Sequence, residues 1–418
     1  MKFNIPPAVL IAFDVFYKNN FDAYLVGGCV RDFLMGKIPH DFDMTTNALP
    51  QETKELFKEY KVIETGIKHG TVTVIINSVP IEITTYRIDG IYSDNRRPNN
   101  VSFTKNINED LKRRDFKMNA VAYNVKGGLY DPFLGIEDIK GEVIDCVGEP
   151  DKRFNEDGLR ILRALRFSAV LGFEIEENTK LSIHKNKDLL SNISKERIFE
   201  ELKKLLLGNN VKSVLNEYKD VFEYLQIPVN EKNVALMGNI IFSEEESFAG
   251  LFFYEKDKIN KAESFLKCMK TSKEFKKNVI GILKCVDFEF INDKKYLKHI
   301  IKDEGFFSVK SALSLIKAQS ENKKSIDDVL FTIDEILKNN ECVSLKQLKV
   351  NGNDLIGLGF KGAEIKNALN HTLDCVIDGE IPNEKNAILS ALENKMAKNN
   401  KNWQNLTKNY WQKMVFML

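Results

Sequence analysis

The chain reads as an α/β domain ending near residue 148, followed by a long and almost wholly helical region. Three observations predict this. Between residues 20 and 146, short β-prone runs alternate with turns bearing Gly, Asp and Asn. From about residue 150 the apolar residues recur at helical spacing, as in NEDGLRILRALRFSAVLGF and SKERIFEELKKLLL. The composition is that of a folded protein, 43% hydrophobic and 29% charged over 418 residues, with 61 Lys and Arg against 60 Asp and Glu. A net charge of +1 excludes a disordered acidic or basic tail protein, while still permitting an RNA partner if the cations gather on one surface.

The elements follow in order. AYLV predicts a strand closed by the glycine pair Gly27 and Gly28, and VRDFLM a short helix after it. DFDMTT predicts a strand, and Pro50 opens a helix to Tyr60, since proline suits a first helical turn. TVTVII and IEITTYR alternate as half-buried strands do. The six cysteines form no CxxC pair and are expected to be buried, reduced thiols. The N-terminal apolar run is broken by Asp14, which argues against a secretory signal, and no run approaches the roughly 18 apolar residues of a membrane span. A cytoplasmic setting is expected. Every arginine lies between Arg31 and Arg197, and the second half is basic through lysine alone. Codon bias by itself would have removed arginine from both halves, so the guanidinium fork is expected to serve phosphate or base-edge geometry in the first half.

The segment GGCVRDFLMGKIPHDFDMTT carries the densest chemistry. Gly27 and Gly28, between a strand and a helix, let backbone N–H groups approach a phosphate, and Arg31 adds a charged fork. Asp41 and Asp43, two apart on an expected strand, point to one face and suit a shared hard cation or pair of cations. A solvated edge strand or turn is by far the better reading of an isolated DxD; the neighbouring glycine turn and Arg31 reverse this in favour of the metal reading. Glu82, between Ile81 and Ile83, faces away from the core on an expected neighbouring strand, as a third carboxylate or as a surface glutamate.

Farther along, Arg96 and Arg97 fall in an Asn- and Pro-rich loop with the character of a cationic lid or of a plain solubilising loop. In LKRRDF, Arg114 can take phosphate oxygens and Asp115 ribose hydroxyls, or the two can pair with each other. A helix expected from Asn155 places Glu156, Asp157, Arg160 and Arg163 on one side. Asp157 and Arg160 then form either a surface ion pair or a reader of base edges, Asp157 accepting from an exocyclic amino group while Arg160 donates to the adjacent ring acceptor. Cytosine and adenine offer that polarity, whereas uracil and guanine reverse it. Arg163 and Arg166 are then placed for a triphosphate. No histidine is assigned a catalytic role.

With these residues assembled, the sequence resembles the class II tRNA nucleotidyltransferase and bacterial poly(A) polymerase family, most closely its bacterial CCA-adding members. GGCVRD with DFD matches the metal and triphosphate motif, LKRRDF the ribose-selecting motif, DPFLGIED the hinge motif and EDGLRILRALRF the template helix. The resemblance implies a polymerase-β-like nucleotidyltransferase head over residues 1–148, a neck with the template helix over 149–205, a helical body over 206–320 and a helical tail over 321–418. It implies Mg2+ bound by Asp41 and Asp43, which catalyse; Glu82 joins them as a candidate catalytic carboxylate on its strand position alone. It places Gly27, Gly28 and Arg31 at the phosphates, Arg114 and Asp115 at nucleotide and ribose, and Asp157, Arg160, Arg163 and Arg166 at the base and beside it. The implied activity is untemplated addition of C, C and A to the 3′ end of tRNA from CTP and ATP with release of pyrophosphate, the helical domains holding the acceptor and TΨC arms. An A-adding or CC-adding enzyme, a poly(A) polymerase and a noncatalytic RNA-binding module are the alternatives; the intact loop DGIYSDNRRP favours a chain able to add the final A. Lys117 stands where many members carry threonine.

Overall fold

The computed structural model describes residues 3–90, 101–237 and 243–398, the side chains of Asp89 and of residues 395–398 excepted. The loop expected to carry Arg96 and Arg97 lies outside the described residues. The chain divides into two compact units, Met1–Lys276 and Lys277–Leu418.

The first unit begins with helix α1 (Pro7–Lys18), strand β1 (Ala23–Val26), helix α2 (Gly28–Leu34), strand β2 (Phe42–Thr46) and helix α3 (Pro50–Leu56). Strands β3 (Lys61–Ile63), β4 (Thr71–Ile76) and β5 (Val79–Thr85) follow, then a separate pair, β6 (Arg87–Asp89) with β7 (Val101–Phe103). Helix α4 (Ile107–Lys112), strands β8 (Ala122–Asn124) and β9 (Gly128–Tyr130), and helix α5 (Gly135–Gly141) complete the head. The main sheet has the order β3-β4-β5-β2-β1-β8-β9. Every pairing in it is antiparallel except that of β2 with β5.

Side-chain alternation gives the sheet two different faces. Leu25, Phe42, Met44, Val72, Val74, Ile81 and Ile83 point to one face and pack against Val9, Ala12, Phe13 and Phe16 of α1. The intervening residues, Asp43 and Thr45 on β2 and Glu82 and Thr84 on β5, therefore occupy the opposite face. There Val26 and Ala122 pack with Leu111 of α4, Ala120 and Val147 in a smaller cluster.

Next, β10 (Val143–Ile144) pairs in parallel with β11 (Glu174–Ile175), and helices α6 (Pro150–Glu156), α7 (Leu159–Leu171), α8 (Glu177–Lys185) and α9 (Lys195–Leu206) take over. The helix expected to run on from Asn155 is broken at Asp157, whose backbone is extended (φ −145°, ψ 104°). The Asp157 carboxylate accepts the N–H of Leu159 at 3.1 Å, a local turn that starts a new helix. A Cβ on Gly158 would lie 2.9 Å from the carbonyl oxygen of Leu189, so the crossing is tight. The Asp–Gly pair in the sequence was the sign of this break. The helix from Pro50 is likewise shorter than expected, giving way to a turn at Phe57. None of the six cysteines is in a disulfide; five are buried, whereas Cys268 is exposed.

In the second unit the described helices include Lys294–Gln319, Lys323–Lys338, Gly352–Gly357, Ala363–Ile377 and Lys385–Lys398. Leu355, Phe360, Leu373, Ile377 and Ile388 form its core. The helix Lys294–Gln319 is interrupted at Gly305, where φ is +83°. No described helix is long and apolar enough to cross a membrane.

Candidate active site

Parallel pairing of β2 with β5 sets Asp43 directly opposite Glu82. Asp41 lies not on the strand but in a bend just before it, and is exposed. The three carboxylates nevertheless act on one another. Burial, with Glu82 and Asp41 as neighbouring negative charges, pushes Asp43 up to about 6 against the opposing pull of Arg114.

The glycine turn closes over this pair. Gly27 adopts φ +75° and ψ −139°, a conformation that L-residues avoid. A Cβ there would stand 3.2 Å from Arg114 Nη1 and 3.6 Å from Asp43 Oδ2. Gly27 thus leaves a small cradle bounded by an acid and a guanidinium. Arg114 also pairs with Asp110 (3.5 Å), and its buried Nε has no hydrogen-bond partner among the described residues. Arg114 and Asp115 do not pair with each other.

Asp115 is instead enclosed. Its Oδ1 accepts from Phe116 N (2.9 Å) and Asn119 Nδ2 (3.2 Å), and its Oδ2 from Arg163 Nε (2.8 Å) and Nη2 (2.6 Å). Burial alone would raise its proton affinity. The charge and hydrogen bonds of Arg163, with Arg160 and Asn119, outweigh burial and hold the carboxyl well below the usual range.

The template residues are brought near this network, but in other pairings than the helical spacing implied. Arg160 pairs with Glu156, and donates to the carbonyls of Arg153 (3.1 Å) and Arg113 (3.0 Å). Asp157 pairs with Arg197 of α9 at 2.7 Å, not with Arg160, because the break at Asp157 turns its side chain off the face of α7. Arg166 pairs with Glu201 of α9 at 2.6 Å, and Arg163 approaches the same carboxylate at 3.8 Å. The guanidinium carbons of Arg31, Arg163 and Arg166 lie 5.2, 5.5 and 4.1 Å from the centre of the Phe167 ring. Arg31 is buried, bonded to Asp32 (2.7 Å) and Asn119 (3.0 Å).

Each of Arg31, Arg113, Arg114, Arg153, Arg160, Arg163, Arg166 and Arg197 contacts a carboxylate. The arginine-rich first half therefore serves buried ion pairing around the site as well as any ligand, for which a planar fork is equally suited. Asp110, Asn119, Arg197 and Glu201 escaped sequence reasoning. Asp110 could have been found, since it precedes Arg113 and Arg114 at i+3 and i+4. Glu201 and Arg197 are joined to their partners only by the packing of α9 on α7, which leaves no local signal.

Among the described residues, no group of three or more His, Cys, Asp or Glu is arranged to hold a metal ion. The acid pair still fits a divalent cation of the Mg2+ type, which takes one or two carboxylates and completes its shell with water and substrate phosphate. Its fit rests on the cradle at Gly27 and on the burial and neighbouring acids that together raise Asp43.

A mixed sheet bearing paired acids beside a glycine turn, joined to a helical region that meets it through arginine–carboxylate contacts, defines a nucleotidyltransferase. The comparisons agree. Residues 23–145 match the family model of the poly A polymerase head domain, residues 172–221 that described as "Probable RNA and SrmB- binding site of polymerase A", and residues 241–392 that of tRNA nucleotidyltransferase domain 2. The CCA-adding enzyme of Ligilactobacillus salivarius is 36% identical over 402 residues, covering 92% of this chain and 96% of its own. That of Streptococcus thermophilus is 34% identical over 389 residues, 89% of this chain and 93% of its own. The crystal structure of the Bacillus stearothermophilus CCA-adding enzyme in complex with CTP superposes with a TM-score of 0.78 at 30% identity, covering 95% of this chain and 100% of that one. The Thermotoga maritima CCA-adding enzyme complexed with tRNA shares the fold, with a TM-score of 0.61 at 22% identity. The chain belongs to the CCA-adding enzymes of the tRNA nucleotidyltransferase and poly(A) polymerase family. The expected fold class, a mixed-sheet head followed by helices, is the one observed. The match over 241–392 lies beyond every motif named in the sequence.

Proposed function

We propose that this protein adds C, C and A stepwise to the 3′ end of tRNA from CTP and ATP, releasing pyrophosphate. The observation that carries the reading is the Asp43–Glu82 pair in register on parallel strands, with Asp41 beside it and Arg114 across the Gly27 cradle. Relatives that share most of this chain's length bear that activity in their names.

Asp41 and Asp43 are the residues that would hold the divalent cation on which this family's chemistry relies, and we take that cation to be Mg2+. When bound, it supplies Lewis acidity that lowers the proton affinity of the attacking 3′ hydroxyl and offsets charge on the leaving pyrophosphate. Glu82 keeps negative potential at the acid pair. The Gly27–Gly28 turn admits the triphosphate close to the backbone, and Arg114, whose Nη1 borders the Gly27 cradle, donates to a phosphate oxygen. Asp115 acts through Arg163 and Asn119, which occupy its lone pairs, so it orders the nucleotide pocket. Asp157 and Arg160 read the base edge, Arg163 and Arg166 line the pocket beside Phe167, and Arg31 anchors α2 through Asn119. To receive a base, Asp157 must exchange part of its pairing with Arg197, and Arg160 part of its pairing with Glu156. The lysines of the helical region supply sequence-independent contact with the phosphates of the acceptor and TΨC arms. A cytoplasmic location, where uncompleted tRNA is found, belongs to the same reading.

The test uses purified protein and three tRNAs, ending before CCA, after C and after CC, each with a single labelled nucleotide. CMP incorporation on the first two and AMP on the third is expected. CMP alone, AMP alone or long A tracts would assign a CC-adding, A-adding or poly(A) activity instead, and no incorporation would remove the enzyme reading.

A further inference from the structure

Behind the acid pair lies a carboxylate that the reaction as described does not use. Asp110, on α4, is 0% exposed. Its Oδ1 accepts from Arg113 Nε (3.0 Å) and Nη2 (2.8 Å) and from the Arg87 N–H (3.3 Å). Its Oδ2 lies 3.3 Å from Thr45 Oγ1, whose one hydroxyl hydrogen is shared with the Thr84 carbonyl at 3.1 Å, and 3.5 Å from Arg114 Nη2. Thr45 is two residues beyond Asp43 on the same strand face, and it pairs with Thr84 as Asp43 pairs with Glu82. Asp110 is therefore rooted one strand repeat from the catalytic pair. Its charge holds the guanidinium that borders that pair.

A buried anion is costly to keep, and removing its partners leaves it uncompensated. The neutral donors here, a hydroxyl and a backbone N–H, could be satisfied by an asparagine oxygen. What an asparagine could not do is hold two guanidinium groups. The guanidinium groups of Arg113 and Arg114 converge on this one anchor, and the two residues reach different parts of the site. The Arg113 carbonyl receives Arg160 of the template helix at 3.0 Å, whereas Arg114 reaches the Gly27 cradle. Burial would raise the proton affinity of Asp110, but the charges of Arg113 and Arg114 and the bonds from Arg113 and Arg87 lower it, so the anchor stays ionised.

We propose that Asp110 is a positioning residue of the transfer site, whose buried carboxylate fixes Arg114 beside Asp43 and, through Arg113, ties the same point to Arg160. The inference rests on the nucleotidyltransfer reading above. The experiment is a double-mutant cycle of Asp110→Asn and Arg114→Ala, with kcat and KM for CTP incorporation measured separately and tRNA affinity measured by filter binding. Asp110→Asn is expected to lower kcat about 100-fold, the cost of a roughly 1 Å misplacement at a reacting centre, with tRNA affinity unchanged. In the Arg114→Ala background the same substitution is expected to cost about tenfold or less, the part carried through Arg113 alone, because the Arg114 route is gone. Losses that multiply across the cycle, or an Asp110→Asn enzyme with undiminished kcat, would overturn the proposal. If circular dichroism shows Asp110→Asn unfolded, Asp110→Glu, which keeps the charge, passes through the same cycle under the same criterion. An inactive wild-type protein would instead remove the parent reading, so the two failures are distinguishable.

Discussion

Asp43 carries a cost that its own removal should reveal. Its carboxyl is raised from 3.8 to about 6, first by burial and then by Glu82 and Asp41. At about 1.4 kcal/mol per pKa unit, this corresponds to about 3 kcal/mol. The sign follows from linkage. A group whose folded pKa exceeds its unfolded value stabilises the fold fully below the unfolded pKa, and that stabilisation is lost as pH rises through the folded one. For Asp43 the loss runs from about pH 4 to just above pH 6. Asp43→Asn removes the titration and with it the penalty. The variant should therefore be inactive yet more stable than wild type, by about 3 kcal/mol at pH 8 and by about half that at pH 5. Both tryptophans, Trp403 and Trp411, fall near the C-terminus, so far-UV circular dichroism is the better reporter of head unfolding. The assay is urea unfolding in EDTA at the two pH values. Adding Mg2+ should then stabilise wild type alone, since a ligand that binds only the folded state adds to its stability. A variant no more stable than wild type at pH 8, or a difference that does not shrink at pH 5, would refute the argument that the fold holds Asp43 ionised against its burial and its acidic neighbours.

Three further outcomes are expected. Asp41→Ala should abolish nucleotide incorporation while leaving tRNA affinity largely unchanged in filter binding; appreciable turnover with Mg2+ would count against its role. Arg160→Ala should relax discrimination against UTP and GTP by about one to two orders of magnitude in kcat/KM, the worth of a buried polar mismatch. Unchanged selectivity would remove the base-reading role. Gly27→Ala places a side chain at φ +75° and 3.2 Å from Arg114, and should cost about 1 to 3 kcal/mol in unfolding free energy along with most of the transfer rate. A fully active and equally stable variant would show that the cradle is not needed.

The head was legible because its signals are local. Alternation in IEITTYR put Glu82 on the face away from Ile81 and Ile83, and pairing with β2 then set it opposite Asp43. The glycine turn, the DFD acids and the LKRRDF arginines could be read as chemistry because a strand or turn fixes side-chain direction within a few residues. Helical spacing misled at one place. Asp157 and Arg160 share a face only on an unbroken helix, and the Asx turn at Asp157 removes that condition.

What the sequence determined by itself was the kind of machine: residue types, their order, and the periodicities that separate a sheet from helices. Only the tertiary structure decided who pairs with whom among the charges. Asp115 is claimed by Arg163, Asp157 by Arg197, and Arg166 by Glu201, across 48, 40 and 35 positions of chain. The physical reason is that a buried charge must find a partner wherever packing brings one, and the buried face of α9, with Ile198, Leu202 and Leu205 beside Glu201, carries no local sign of which charge on another element it will meet.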